Sequence, residues 1–305
     1  MKIKQIPEDF IVRERIKLDF SNGKYSYFKL NKKRWNTLDA VKEIANRLGM
    51  GIDRFGFAGN KDRQAVSEQA ISIYDISKER IDGIKIKDIE LKYLGSGNKR
   101  INLGDLEGND FIVTVRDLKK KVKVKKIKIK NFYDEQRFGI NENNHLVGKA
   151  IVKKDFKMTC QLLSIEVEGN NYLNALRNTS KRMLRFYIHA YQSYLFNEVL
   201  KKVSNSKKLP VPGFLTKFRD KRLEKKYSDI LKKEGVALRD FIIAPYKEIS
   251  SEGGDRDAFV TLTKLKVRWD KDELNKGKWK AIASFSLGKG QYATAVVKAL
   301  FGKGI

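Results

Sequence analysis

The densest group of chemically capable side chains in this 305-residue chain lies in Gly56-Phe57-Ala58-Gly59-Asn60-Lys61-Asp62-Arg63-Gln64-Ala65. It is not a phosphate-binding loop, which needs GxxxxGK[ST] ahead of a helix. Lys61 adjoins Asp62, so it is not the base-reading NKxD of a GTPase either. What remains is one carboxylate, Asp62, set between two cations on a glycine-punctuated loop. Lys61 and Arg63 are expected to favour the ionised form of Asp62. An ionised, oriented carboxylate serves as a nucleophile or as an electrostatic stabiliser. An ordinary Asp/Gly turn flanked by surface charge has the same composition.

A second cluster, Asn131-Phe132-Tyr133-Asp134-Glu135-Gln136-Arg137-Phe138-Gly139, packs two amides, an arginine and three aromatics into nine residues. Such a set suits a pocket that stacks a planar base and bonds its edge. It equally suits a buried turn whose aromatics fill core. The third, Gly288-Lys289-Gly290-Gln291-Tyr292-Ala293-Thr294, is a tight turn before a helix. It either caps that helix or lets Tyr292 approach a ligand.

Scarcity is as informative. One cysteine, Cys160, makes no internal disulfide, and with His145 and His189 it cannot complete a four-ligand zinc site. Cys160 sits in an apolar-patterned segment and reads as a buried thiol, and His189 reads as a hydrogen-bonded core histidine. Any chemistry therefore falls to carboxylates, lysines or tyrosines. Lys and Arg number 65 against 37 Asp and Glu, a formal net charge of +28. Nucleic acid is the partner this favours over a membrane surface or an acidic protein. Hot-habitat lysine enrichment would raise Glu in parallel, which does not keep pace here. No apolar run reaches the ~18 residues of a membrane helix. The start, MKIKQIPEDFIVRER, has no apolar signal core, so a soluble, cytoplasmic protein is expected.

The elements that must position these residues follow from periodicity. Residues 8–18 and 24–30 read as strands joined by the turn Ser21-Asn22-Gly23. A helix is expected over 37–48, with Thr37 as cap, a stripe of Leu38, Val41, Ile44, Ala45 and Leu48, and Gly49 as stop. Further strands fall at Ala65–Tyr74, 89–94, 111–116, 258–268 and 281–287. Helices are expected at 182–202, near 222–233 and at the C-terminal end. The run 119–130, KKKVKVKKIKIK, carries eight lysines, and its period of two reads as a strand with a basic face. That face either contacts RNA or protects a sheet edge. Strands come in adjacent runs, which predicts an α+β fold with a largely antiparallel sheet.

Five motifs in order, PEDFIVRE at 7–14, GFAGNKDRQAVSEQ at 56–69, NFYDEQRFG at 131–139, YQSYLFN at 191–197 and FSLGKGQYAT at 285–294, give the chain a resemblance to the TruD family of tRNA pseudouridine synthases. The resemblance implies a pseudouridine-synthase catalytic domain with a mixed, mostly antiparallel sheet, over 1–156 and 266–305. A TruD-type α/β domain would be inserted at 157–265, trimmed in this short chain. It implies isomerisation of uridine to pseudouridine in tRNA, at uridine 13, on a flipped-out base, with no cofactor and no metal. The family's nucleophilic aspartate falls on Asp62, which would attack C1′ or abstract the 2′ proton. Lys4 would pair with Asp62 and damp its basicity. Phe10, Tyr133 and Tyr292 would wall the uracil, and Asn131 would bond the base or position the active loop. The family's usual NYFGxQRFG reads NFYDEQRFG here, placing Tyr133 where phenylalanine is common and Asp134 in place of a glycine. The alternative from another class is a non-catalytic basic protein that binds or remodels RNA.

Overall fold

A computed structural model describes residues 1–124, 128–134, 137–218 and 220–302. They form two compact units, 1–127 with 261–305, and 128–260. In chain order the first unit holds β1 (Lys2–Ile3), β2 (Phe10–Arg15), β3 (Tyr25–Lys33), α1 (Thr37–Leu48), β4 (Phe55–Phe57), β5 (Val66–Tyr74), α2 (Lys78–Asp82), β6 (Ile89–Gly97) and β7 (Gly108–Leu118). The second holds α3 (Asn144–Val152), α4 (Phe156–Leu162), α5 (Tyr172–Arg177), α6 (Lys181–Lys201), β8 (Lys208–Val211), α7 (Lys221–Glu234) and β9 (Gly254–Asp257). The chain then returns to the first unit with β10 (Thr263–Lys271), β11 (Trp279–Gly288) and α8 (Ala293–Phe301).

The first unit is built on a sheet of order β10-β11-β7-β2-β5-β3-β6, with β1 added on β7 and β4 on β5. Only β2 and β5 run parallel among its described pairings. The α+β class and the mostly antiparallel sheet are as expected. The expected hairpin of the first two long strands is not formed. Residues Gln69–Ile73 of β5 are buried on both faces, so β5 takes the central place between β2 and β3. Helix α1 lays Val41, Ile44, Ala45 and Leu48 against Phe28, Leu30, Ile71 and Ile73, while Leu38 stays exposed. Its cap is Asn36, whose Oδ1 accepts from the Asp39 N–H at 2.8 Å, rather than Thr37. Gly49 ends it with a left-handed φ of 64°.

The lysine run is not a strand over its described residues. The β7 ladder stops at Leu118, one residue after Asp117 turns to a φ of 58°. Residues 119–124 have no strand partner, and Lys130 makes one isolated bridge with Phe259. Lys125, Lys126 and Ile127 lie outside the described residues, as do Glu135 and Gln136 of the second cluster.

In the second unit α6 buries Leu184, Ile188, Tyr191, Leu195 and Val199. Val147 and Ile151 of α3 join that same core. Residues 128–156 lie with the second compact unit. Cys160 is buried as expected; His189 is exposed on α6, not in its core.

One buried charge cluster fixes the N-terminal segment to the sheet. Arg116 on β7, 4 % exposed, reaches Asp9 at 2.8 Å, Asp272 at 2.9 Å and Glu273 at 3.1 Å. Asp9 also accepts the Ile6 N–H, closing the turn Pro7–Asp9 that delivers Phe10 to β2. Burial alone would push the Asp272 carboxyl up. The Asp117 N–H, the Asn275 amide and Arg116 outweigh it and hold the group down at about 2. Removing one partner of such a cluster strands buried charge, at about 3–5 kcal/mol. Arg116→Met is therefore expected to cost about 3–5 kcal/mol in urea unfolding. An unfolded aspartate titrates near about 3.9, so the contribution of Asp272 is complete above about pH 4 and lost as pH falls through about 2. A urea midpoint followed from pH 5 to 2 should drop steeply in the parent and less so in Asp272→Asn.

Candidate active site

Asp62 sits on the link between β4 and β5, a stretch with no regular structure that is anchored through several backbone groups. Ala58 O accepts from the Gly104 N–H at 2.7 Å and Gly59 O from Gln69 Nε2 at 3.1 Å. The Lys61 N–H donates to Thr37 Oγ1 at 2.8 Å, and that hydroxyl donates to Gln69 Oε1 at 2.7 Å. Lys32 Nζ donates to the carbonyls of Lys61 and Asp62, both at 3.3 Å. Thr37 and Gln69 are 0 % and 1 % exposed, so water does not compete for these bonds. Glycine matters unequally here. A Cβ at Gly56 would meet Ile101 O at 2.3 Å and Ser72 Oγ at 2.5 Å, whereas one at Gly59 would find only ordinary contacts, the nearest at 3.7 Å.

The side chain of Asp62 is 44 % exposed and its Oδ2 receives Lys4 Nζ at 2.5 Å. Lys4 reaches it from a left-handed backbone, φ 59°, a conformation that costs a lysine about 1–3 kcal/mol unless its surroundings impose it. The same ammonium lies 4.3 Å from the centroid of the Phe10 ring. Lys4, Phe10 and Asp62 are thus brought together as expected. Phe10 itself is only 6 % exposed. It stands edge-on to Phe111 at 5.8 Å, and Phe111 stacks on Phe285 at 5.6 Å, an aromatic row across β2, β7 and β11.

The flanking cations do not do what was expected of them. Lys61 turns inward, 8 % exposed, and pairs with the fully buried Glu14 at 2.7 Å and Asn109 Oδ1 at 2.8 Å. Burial pushes the Glu14 carboxyl up, and Lys61 opposes that. Arg63 donates to the Arg34 carbonyl at 3.2 Å. The counter-ion of Asp62 comes from 58 residues away in sequence.

Tyr292 is the half-buried N-cap residue of α8. Asn131 and Tyr133 belong to the second unit. Asn131 is 2 % exposed and both ends of its amide are bonded: Nδ2 donates to Asp257 O and Oδ1 accepts from Arg256, both at 2.9 Å. Here it holds Arg256 and the β9 end in place. Tyr133 is clamped by Asn197 of the YQSYLFN motif, which accepts its N–H at 2.9 Å and donates to its carbonyl at 3.1 Å. Arg256 lies 4.0 Å and Arg137 5.5 Å from the Tyr133 ring centroid. Guanidinium and aromatic planes of this kind stack on unpaired bases.

Sequence reasoning missed Lys32, Thr37, Gln69 and Glu14. The signal for Lys32 was its register: Phe28, Leu30 and Lys32 share one face of β3, so the lysine stands where the pattern calls for an apolar residue. Among the described residues no group of three His, Cys, Asp or Glu could hold a metal ion, and no helix is long and apolar enough to cross a membrane.

The family model for tRNA pseudouridine synthase D (TruD) matches residues 1–168, 158–209 and 203–300. A tRNA pseudouridine synthase D from Aquifex aeolicus is 29 % identical, covering 99 % of this chain and 98 % of that protein. A Methanocaldococcus jannaschii relative, described as probable tRNA pseudouridine synthase D 1, is 30 % identical over 97 % of this chain and 94 % of its own. A crystal structure described as tRNA pseudouridine synthase D (TruD) from Methanosarcina mazei superposes with a TM-score of 0.77 at 27 % identity, covering 98 % of this chain and 93 % of that one.

The loop anchoring is directly testable. Thr37→Val deprives the Lys61 N–H of its acceptor and Gln69 of its donor in a buried place, and should cost about 1–3 kcal/mol in denaturant unfolding. Thr37→Ser keeps the hydroxyl and should recover most of that loss.

Proposed function

Because the chain belongs to the TruD family of tRNA pseudouridine synthases, we propose that it isomerises uridine to pseudouridine in tRNA with Asp62 as the reacting carboxylate. Uridine 13 is the target this reading expects, and the cytoplasm the place where a tRNA substrate would be met. The observation that carries the assignment is the state of Asp62. One oxygen is held by Lys4, the peptide behind it is fixed at several points, and Oδ1 has no partner among the described hydrogen bonds and ion pairs.

The reaction breaks C1′–N1, turns the freed uracil and joins C1′ to C5. The C5 proton is lost and N1 gains one, so nothing is added or removed overall. Asp62 begins it in either of two ways. Its oxygen displaces uracil from C1′ and is later displaced by C5, or it removes the 2′ proton and returns it once the new bond exists. Both need the target nucleotide out of its stack, at a few kcal/mol that stacking in the pocket offsets. Lys4 orients the carboxylate. In this reading Tyr292 supplies an aromatic face to the extruded base and Phe10 packs against Lys4, while within the second unit Asn131 holds Arg256 beside Tyr133. This last role follows from its bonds to Asp257 and Arg256.

A basic surface suits the polyanionic substrate. Trp279 has Lys271 at 3.9 Å and Lys121 at 4.2 Å from its ring. Neither ammonium has a carboxylate partner among the described ion pairs.

Asp62→Asn keeps size and hydrogen bonding but removes the reacting charge. Pseudouridine in tRNA, read by primer extension after carbodiimide treatment, should fall to background, and undiminished turnover would reject the assignment. Replacing Lys119, Lys120, Lys121 and Lys123 together by Gln should weaken tRNA binding and flatten its dependence on log salt by about 0.7–0.9 for each phosphate that is no longer neutralised. A salt slope equal to the parent's would leave that run a solubilising role only.

A further inference from the structure

We propose that Lys32 is a positioning residue for the reaction: its buried ammonium clamps the peptide that carries Asp62 and sets where the carboxylate stands. The proposal rests on the reading that Asp62 is the reacting group.

Lys32 lies on the inward face of β3 and is 2 % exposed. Burying an ammonium is expensive unless it is paired or fully bonded, yet among the described ion pairs Lys32 has no carboxylate. Its partners are three main-chain carbonyls: Trp35 O at 2.6 Å, Lys61 O at 3.3 Å and Asp62 O at 3.3 Å. An ammonium has three N–H donors and no acceptor, so charged Lys32 matches this set one for one. The first carbonyl leads into α1 and the other two belong to the catalytic loop. Lys32 therefore ties the loop to the helix that also supplies Thr37. A methionine would fill the same space and suit the apolar pattern, but it would leave the Lys61 and Asp62 carbonyls without this donor. The Asp62 carbonyl is one residue's backbone away from the reacting oxygen, and a displacement there moves the carboxylate directly. Misplacement by about 1 Å costs on the order of 100-fold in rate.

The arrangement has a pH signature. Burial pushes the Lys32 ammonium down to about 8, with the charge of Asp62 opposing and that of Lys61 adding to the fall. The other charged groups around the cluster are spoken for: Lys4 on Asp62, Glu14 of β2 on Lys61, and Arg63 on a carbonyl. When Lys32 loses its proton it keeps two donors for three carbonyls, so the clamp weakens as pH rises through about 8.

The test uses the full-length protein and unmodified tRNA, with single-turnover rates, tRNA Kd and thermal unfolding measured side by side. Lys32→Met is expected to remain folded at the assay temperature, bind tRNA within about 3-fold of the parent, and lose about 100-fold in single-turnover rate. The parent's rate should decline above about pH 8. In Lys32→Met the residual rate should lack that decline. A folded Lys32→Met within about 3-fold of the parent rate, or one whose loss appears wholly in Kd, overturns the proposal. Should Lys32→Met fail to fold, Lys32→Gln, which keeps two amide donors for the three carbonyls, is measured in the same way: a rate within about 3-fold of the parent overturns the proposal, and a larger loss at unchanged Kd upholds it. Asp62→Asn, run in parallel, separates the two claims. Retained activity there would sink the reading of Asp62, whereas an inactive Asp62→Asn with a fully active Lys32→Met would sink only the role of Lys32.

Discussion

The Lys4–Asp62 ion pair is the constraint on which the rest of the first unit turns. Its partners stand in separate segments, and neither is held by its sequence neighbours. An exposed lysine and aspartate, left to themselves, gain at most about 1 kcal/mol from meeting. The pair is useful only because each partner arrives already placed. Lys4 is brought by β1 on β7 and by the buried contact of Arg116 with Asp9. Asp62 is brought by the carbonyl and N–H bonds of Lys32, Thr37 and Gln69. The cost of immobilisation is met in the fold, so the carboxylate needs little reorganisation when a substrate arrives.

Buried charge is the means in each case. Arg116 among three carboxylates, Lys61 on Glu14 and Lys32 on three carbonyls are all buried, although an ion pair exchanged whole for apolar side chains is often no less stable. Their effect is directional. An apolar contact tolerates sliding by an ångström, whereas a guanidinium shared by Asp9 and Asp272 fixes the distance between the Pro7–Asp9 turn and the chain leaving β10. The aromatic row Phe10, Phe111 and Phe285 then fills the space such anchors leave, with Lys4 as its lid.

How much of this could be read in advance differs by level. Strands β6 and β7 and helix α1 were legible because each carries a clean periodicity. The pairing of β2 with β5 was not, since strand order depends on which edge a buried strand prefers, and Ser21-Asn22-Gly23 looked like a hairpin turn. Asp62 and Lys4 were legible through their motifs. The electrostatics around Asp62 were misread because adjacency in sequence says little about direction on an irregular loop: Lys61 and Arg63 flank Asp62 and both point elsewhere. Asn131 carried the chemistry of a base-reading amide, but both ends of that amide bond to Asp257 and Arg256, which lie some 125 residues later in the chain. The lysine run has the period of a strand, but its residues 119–124 have no strand partner to make them one.

A final tension is between the charge of the whole and the charge of the site. A chain of net +28 draws a polyanion to its surface, and a bare carboxylate at the proposed reaction centre would repel the same phosphates. Lys4 resolves this locally. It neutralises Asp62 at contact distance, where the interaction is strong, and the pair becomes a dipole whose field fades within a few ångströms, well inside the ~8 Å screening length of physiological salt. The phosphates therefore meet an essentially cationic surface, and only a nucleoside inserted to contact distance meets the oxygen. Lys32 extends the same logic inward: a second positive charge, out of reach of solvent and phosphate, acts on the loop alone. Attraction of the RNA and presentation of the carboxylate are thereby separated by distance.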